Sequence, residues 1–412
     1  MIFGISLFVF SYLIAFFFPK EVRTSFLLVL TVHAAIILLY SFFPISFIGS
    51  TEDAQSFYNH AIEKSLLLNE NGSFDSPINN QSLNWSISIL SNGVEFFKNF
   101  HTLLQYYFSG PEKLLSNSTT LLAWSFCSLL LAKIYLTISS DDFDGASILI
   151  YIFSLTPSIL IFNSFLLREV WMSLFIFLIL FSAVNIKNYQ KKFFTILLIG
   201  LISIFFHRFM IVITMVTLTM VLFYDAILKY EWYPFDNLKI FSYLALLLIT
   251  GFILLSLNLD AVQLFKNNGI LGAIDQYSIG LIGGHGDGAP PARASYGKVF
   301  DKDNIFSIIQ LFLTYQFMPY PWRVSSIFDL LPLFENFLRL LLVLLFILNR
   351  KNLLKSQKMN LDMIFLIWLS TELIWSLGTI NWGTAYRHHA VAYGLLVLVS
   401  IVAYRSNKSK IQ

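Results

Sequence analysis

Three arginines stand in short polar breaks between long apolar stretches: Arg168 in LLREVW, Arg208 in FFHRFM and Arg387 in TAYRHHA. Glu169, His207, His388 and His389 are their immediate neighbours. A guanidinium keeps its charge at any physiological pH and meets phosphate oxygens with two parallel N–H donors, so several together suit a diphosphate. Histidine titrates near neutrality and carboxylates accept protons, so the same breaks also carry candidate bases. The chemistry these residues fit is transfer of a group from a phosphorylated donor, with arginines stabilising the departing diphosphate.

The elements that must hold them are apolar. Of 412 residues, 57% are hydrophobic and 12% charged, about half the charged fraction usual in soluble domains. The net charge of +3 is too small to imply nucleic acid as a partner. The single cysteine, Cys127, rules out an intramolecular disulfide and a thiolate metal site. No P-loop and no Rossmann fingerprint is present, so no nucleotide cofactor is expected. The N-terminus lacks a basic region and a small-residue cleavage site, and reads as a first span.

Stretches of about 17–25 apolar residues qualify as membrane spans. They predict an all-α polytopic membrane protein with about eleven transmembrane helices in one domain. The expected spans are 2–18, 25–49, 119–138, 146–164, 170–186, 193–206, 210–223, 240–258, 330–348, 362–378 and 390–404. Lysines and arginines gather in alternate short loops: Lys20 and Arg23; Lys187, Lys191 and Lys192; Lys229 and Lys239; Arg350, Lys351, Lys355 and Lys358; Arg405, Lys408 and Lys410. The positive-inside rule then places the N-terminus outside and the C-terminus inside. Two long segments, 50–118 and 259–329, fall outside, together with the three short turns that carry Arg168, Arg208 and Arg387. Cations on the disfavoured side mark function more often than chance.

In the first outer segment Asp53, Tyr58 and His60 lie near the mouth of the second span. An acidic helix start explains Asp53 equally well. The second segment has a Gly- and Pro-rich stretch holding His285 and Asp287, too few ligands for a metal site. An apolar element, 304–318, is too short to span and is expected to lie in the outer leaflet. PYPWR follows, with Trp322 suited to the interface and Arg323 as a fourth outer cation; Glu335 comes just inside the next span. Within the spans, Glu372 and His33 are candidates by their depth alone. A neutral Glu372 bonding a neighbouring helix is the equal alternative.

The order of these features resembles the Wzy-type oligosaccharide repeat-unit polymerases, of the O-antigen polymerase and ligase superfamily of membrane glycosyltransferases. TEDAQSFYNHA is similar to that family's outer Asp…Tyr…Ala segment. NSFLLREVWMSLFIF is similar to its Arg-acid hairpin, and FFHRFM to its mid-chain arginine turn. FMPYPWR with the following LLPLFE resembles its Pro-aromatic-Pro-Trp stretch and glutamate, and NWGTAYRHHAVAYG its late Gly-Thr-Ala-x-Arg turn. Glu169 stands where aspartate is more usual, and Phe209 where proline is commoner.

The resemblance implies a bacterial inner-membrane enzyme facing the periplasm. It would move a growing glycan from undecaprenyl diphosphate to a hydroxyl of the next lipid-linked repeat unit, as in lipopolysaccharide assembly, without metal or other cofactor. By position Arg168, Arg208 and Arg387 would bind the diphosphate, with Arg323, His207, Asp53 and Tyr58 as further substrate contacts. His388, Glu169 and Glu335 are the candidate bases, His388 preferred. Expected partners are undecaprenyl-diphosphate-linked oligosaccharides, membrane lipids and a chain-length regulator. The alternatives are a ligase attaching finished glycan, and a flippase or transporter of the same lipid-linked sugars. A transporter should show internal repeats and matching broken helices, which the sequence lacks.

Overall fold

The computed structural model describes residues 2–42, 51–71, 93–109, 112–207, 209–230, 296, 306–379 and 381–408. Their regular structure is helical, in this order: α1 Ile2–Leu13, α2 Lys20–Phe42, α3 Thr51–Asn71, α4 Gly93–Leu104, α5 Lys113–Ser139, α6 Phe143–Leu155, α7 Pro157–Phe162, α8 Glu169–Asn185, α9 Tyr189–Ser203, α10 Met210–Tyr230, α11 Phe306–Phe317, α12 Leu330–Asn349, α13 Lys355–Leu377 and α14 Trp382–Lys408. Among the described residues five stretches, built on α2, α5, α12, α13 and α14, are long and apolar enough to cross a membrane, and several shorter helices are also apolar. The expected span 240–258, Arg208, His285 and Asp287 lie outside the described residues.

Two expectations need adjusting. The stretch 146–164 is not one helix: α6 stops at Thr156 and α7 starts afresh at Pro157. Proline lacks the N–H that would continue the ladder and fits the first helical position. TAYRHHA is not a turn either. The last helix begins at Trp382, eight residues before the apolar run, because Asn381 accepts the Thr384 backbone N–H at 2.7 Å and starts the helix there. Arg387 therefore projects from a helix wall.

Helix α14 is the axis of the bundle. It packs on α5, α6, α7, α8, α11, α12 and α13, and from Ala390 to Val402 it is buried throughout. Its neighbour α12 has the polarity of a soluble helix reversed. Phe334, Phe337, Leu341, Leu344 and Leu348 are exposed along one stripe, while Glu335, Asn336, Arg339 and Leu342 are buried on the other. That arrangement is favourable only in a solvent as apolar as the exposed stripe, which is what a lipid bilayer offers.

The ends of the bundle differ. At one end Asp142 caps α6 by accepting the Gly145 N–H at 3.1 Å, accepts the Tyr135 hydroxyl at 2.8 Å, and holds Arg405 by two bonds of 2.9 and 2.7 Å. Burial alone would raise its carboxyl's pKa, but the Arg405, Gly145 and Tyr135 bonds outweigh it and hold the group below its ordinary range. Arg350 forks onto Asp362 at 2.5 Å, and Gln357 reaches the Ile138 carbonyl at 3.1 Å. At the opposite end α3 and α4 pack on each other, with Phe96 and Phe100 resting on Phe206 and Trp171 at the tips of α9 and α8. The candidate site lies under that second end.

Candidate functional site

Four successive residues at the start of α14 build the site. Each helical residue turns about 100° from the last, so Tyr386, Arg387, His388 and His389 point to four different neighbours. Tyr386 donates its hydroxyl to Glu335 of α12 at 2.9 Å. Arg387 pairs with Glu169 of α8 at 2.8 Å. His388 meets Trp375 of α13 and Thr379 just past that helix's end. His389 reaches Glu372 of α13 and the Tyr315 carbonyl of α11.

The Arg387–Glu169 pair joins the two breaks that the sequence offered as a clamp. Glu169 is 2% exposed and starts α8, where the helix dipole favours an acid. Arg168, the preceding residue, places its guanidinium 5.9 Å from the Phe57 ring of α3 and is close enough to act electrostatically on His388. His207 is within the same range of His388. Trp375 lies between the two imidazoles, its ring centroid 4.3 Å from His388 and 4.9 Å from His207. Arg168, Glu169, His207, Arg387 and His388 thus come from three separate breaks to one end of the bundle.

The tautomer of His388 follows from Thr379. The Thr379 hydroxyl donates to the Trp375 carbonyl at 2.7 Å, and His388 Nδ1 lies 3.0 Å from the Thr379 hydroxyl oxygen. A hydroxyl has one proton to give. With that proton on the carbonyl, Nδ1 must be the donor to Thr379, and in the neutral ring Nε2 then holds the lone pair. A neutral imidazole held in one tautomer with its second nitrogen open is the form that a general base needs.

The remaining sequence candidates fall elsewhere. Glu335 is fully buried and accepts the Ser158 backbone N–H at 2.5 Å besides Tyr386. Both donors meet Oε1 and tie α7 and α14 to α12, while Oε2 has no hydrogen-bond partner. Tyr58 is half-buried on α3, with the Lys113 ammonium 5.2 Å from its ring; Asp53 is on the same helix. Arg323 is exposed beside a groove of about 550 Å³ that Tyr320, Trp322 and Thr314 also line; the contacts of the Arg387 cluster do not include it. His33 is fully buried, stacked 4.0 Å from Trp124 with Nε2 donating to the Ser154 carbonyl at 3.0 Å, and ties α2 to α5 and α6.

Sequence reasoning missed three residues. Gln316 donates to Glu372 at 2.8 Å, and His389, read as part of the outer turn, is the second partner of that carboxylate. Arg339 is 3% exposed in the middle of α12. A charge inside an apolar run was its available signal. Among the described residues no three His, Cys, Asp or Glu side chains gather as a metal site requires. No family model, curated protein or solved structure matches the chain.

Proposed function

We propose that the protein is a membrane-embedded glycosyltransferase that takes glycan from a lipid-linked diphosphate, working as a repeat-unit polymerase on the outer face. The observation that carries this reading is the convergence of Arg168, Arg387 and a tautomer-fixed His388 at one end of a lipid-facing bundle. A diphosphate needs fixed positive charge, its sugar needs an attacking hydroxyl, and that hydroxyl needs a base within reach.

In the proposed reaction the diphosphate of the lipid carrier lies against Arg168 and Arg387, with Glu169 orienting Arg387. The acceptor hydroxyl attacks the anomeric carbon of the donor glycan. The bond from that carbon to the phosphate oxygen breaks, and the diphosphate leaves with the electron pair. The hydroxyl proton passes to His388 Nε2. Guanidinium donors that stay charged and pre-placed stabilise the negative charge as it grows on the leaving group. The lipid-facing stripe of α12 suits a substrate whose carrier chain stays in the bilayer.

The test uses the full chain in lipid vesicles with a lipid-linked repeat unit, following chain lengthening. His388→Ala should lower the rate by about 10²–10⁴-fold, the contribution of a positioned base. Thr379→Val frees the tautomer and should lower it by about tenfold; Thr379→Ser should restore it. Unchanged rates in His388→Ala would remove the base assignment. Transfer only to a finished glycan acceptor, with no lengthening of repeat units, would turn the reading from polymerase to ligase.

A further inference from the structure

Behind the outer cluster lies a second polar group, enclosed between α11, α12, α13 and α14. Its members are Arg339, Glu372, His389, Gln316 and the hydroxyls of Tyr315 and Tyr296. All are buried. Arg339 uses one nitrogen, Nη2, which donates to the Gln316 carbonyl at 2.7 Å and to Asn336 Oδ1 at 2.5 Å. Its Nε and Nη1, the Tyr315 and Tyr296 hydroxyls and Glu372 Oε1 have no protein partner. These are linked in space: Arg339 bonds Gln316, Gln316 and His389 both bond Glu372, and the Tyr315 ring lies 4.3 Å from His389.

The protons can be counted. The carbonyl of Tyr315 only accepts, so His389 Nε2, 3.2 Å away, carries a hydrogen. His389 Nδ1 and Glu372 Oε2 are 2.5 Å apart, which requires one proton between them. The pair is therefore neutral overall, whether written as imidazolium and carboxylate or as imidazole and acid. It supplies no net countercharge to Arg339, and three oxygens of the group have no protein partner. Five buried donors and acceptors left unsatisfied would each be destabilising. A polar space with both donors and acceptors is where buried water belongs, each molecule making about three bonds.

We infer that Arg339, Tyr315, Tyr296 and Glu372 Oε1 enclose a cluster of bound water beside the proton shared by Glu372 and His389, forming an internal hydrated site within the bundle. Donors come from the guanidinium and hydroxyls, and acceptors from Glu372 Oε1 and the tyrosine oxygens. The site is one helical step from the outer cluster, since Tyr386 and Arg387 precede His389 on α14. The inference stands on this geometry alone and does not depend on the transfer reaction.

X-ray radiolytic labelling tests it on the full chain in lipid nanodiscs. Hydroxyl radicals formed from bound water oxidise the side chains that touch it, even where bulk solvent does not reach. Tyr315 is fully buried, as are Phe153 and Phe177 in the apolar core. Oxidation of Tyr315 at least fivefold faster than Phe153 and Phe177 is the expected result. Oxidation at their rate would mean a dry chamber and overturn the inference. In Arg339→Leu, which removes the main donor, Tyr315 labelling should fall at least threefold. A Tyr315 rate unchanged in that variant, with Phe153 and Phe177 still protected, would equally overturn it.

Discussion

Arg387→Lys is expected to cut glycan transfer by about 10²–10³-fold while the protein accumulates normally in the membrane. The magnitude is that of losing one pre-placed donor to a developing oxyanion. Lysine keeps the charge and can still pair with Glu169, so the contact between α14 and α8 survives. What it loses is the planar fork that grips two phosphate oxygens at once. Glu169→Gln separates the roles further: it leaves Arg387 charged but unoriented, and should weaken donor use more than it weakens protein levels. Donor titration in vesicles reads both, and normal transfer by Arg387→Lys would mean that no bidentate contact forms there.

The second large effect is on stability. Replacing either Glu372 or His389 with leucine should cost about 3–5 kcal/mol, because one partner of a buried pair is left without the other. Gln316 and the Tyr315 carbonyl each lose a partner as well. The double Glu372→Leu, His389→Leu variant should be more stable than either single variant, since no buried charge is then uncompensated. Equilibrium unfolding in mixed micelles measures all three. Single variants that unfold like the parent would show that the pair contributes nothing to packing α13 on α14.

These two effects divide what the sequence shows from what it hides. Apolar runs located most described helices, because a bilayer demands long apolar stretches whatever lies between them. The short element at 304–318 was legible for the same reason, and appears as α11 at Phe306–Phe317. The start of α14 was not legible. Eight residues, six of them polar or aromatic, precede its apolar run, and hydropathy stops where the site begins. The candidate site was half legible: arginines in short breaks stand out, but the pairing of Arg387 with Glu169 joins residues 218 apart. Glu372 with His389, and Arg339 among tyrosines, depend on helix rotation, which no single-sequence pattern fixes for helices buried on all sides. The line from Thr379 to His388 depends on which way one hydroxyl proton points.

The account rests on arginines that recognise a diphosphate at the end of a lipid chain, and binding tests that most directly. Undecaprenyl diphosphate and undecaprenyl monophosphate can be titrated onto the purified chain in nanodiscs and counted by native mass spectrometry. The account predicts that the diphosphate binds at least tenfold more tightly, and that Arg168→Gln and Arg387→Gln each erase most of that preference. Equal affinity for the two lipids, or a preference that both variants retain, would contradict it.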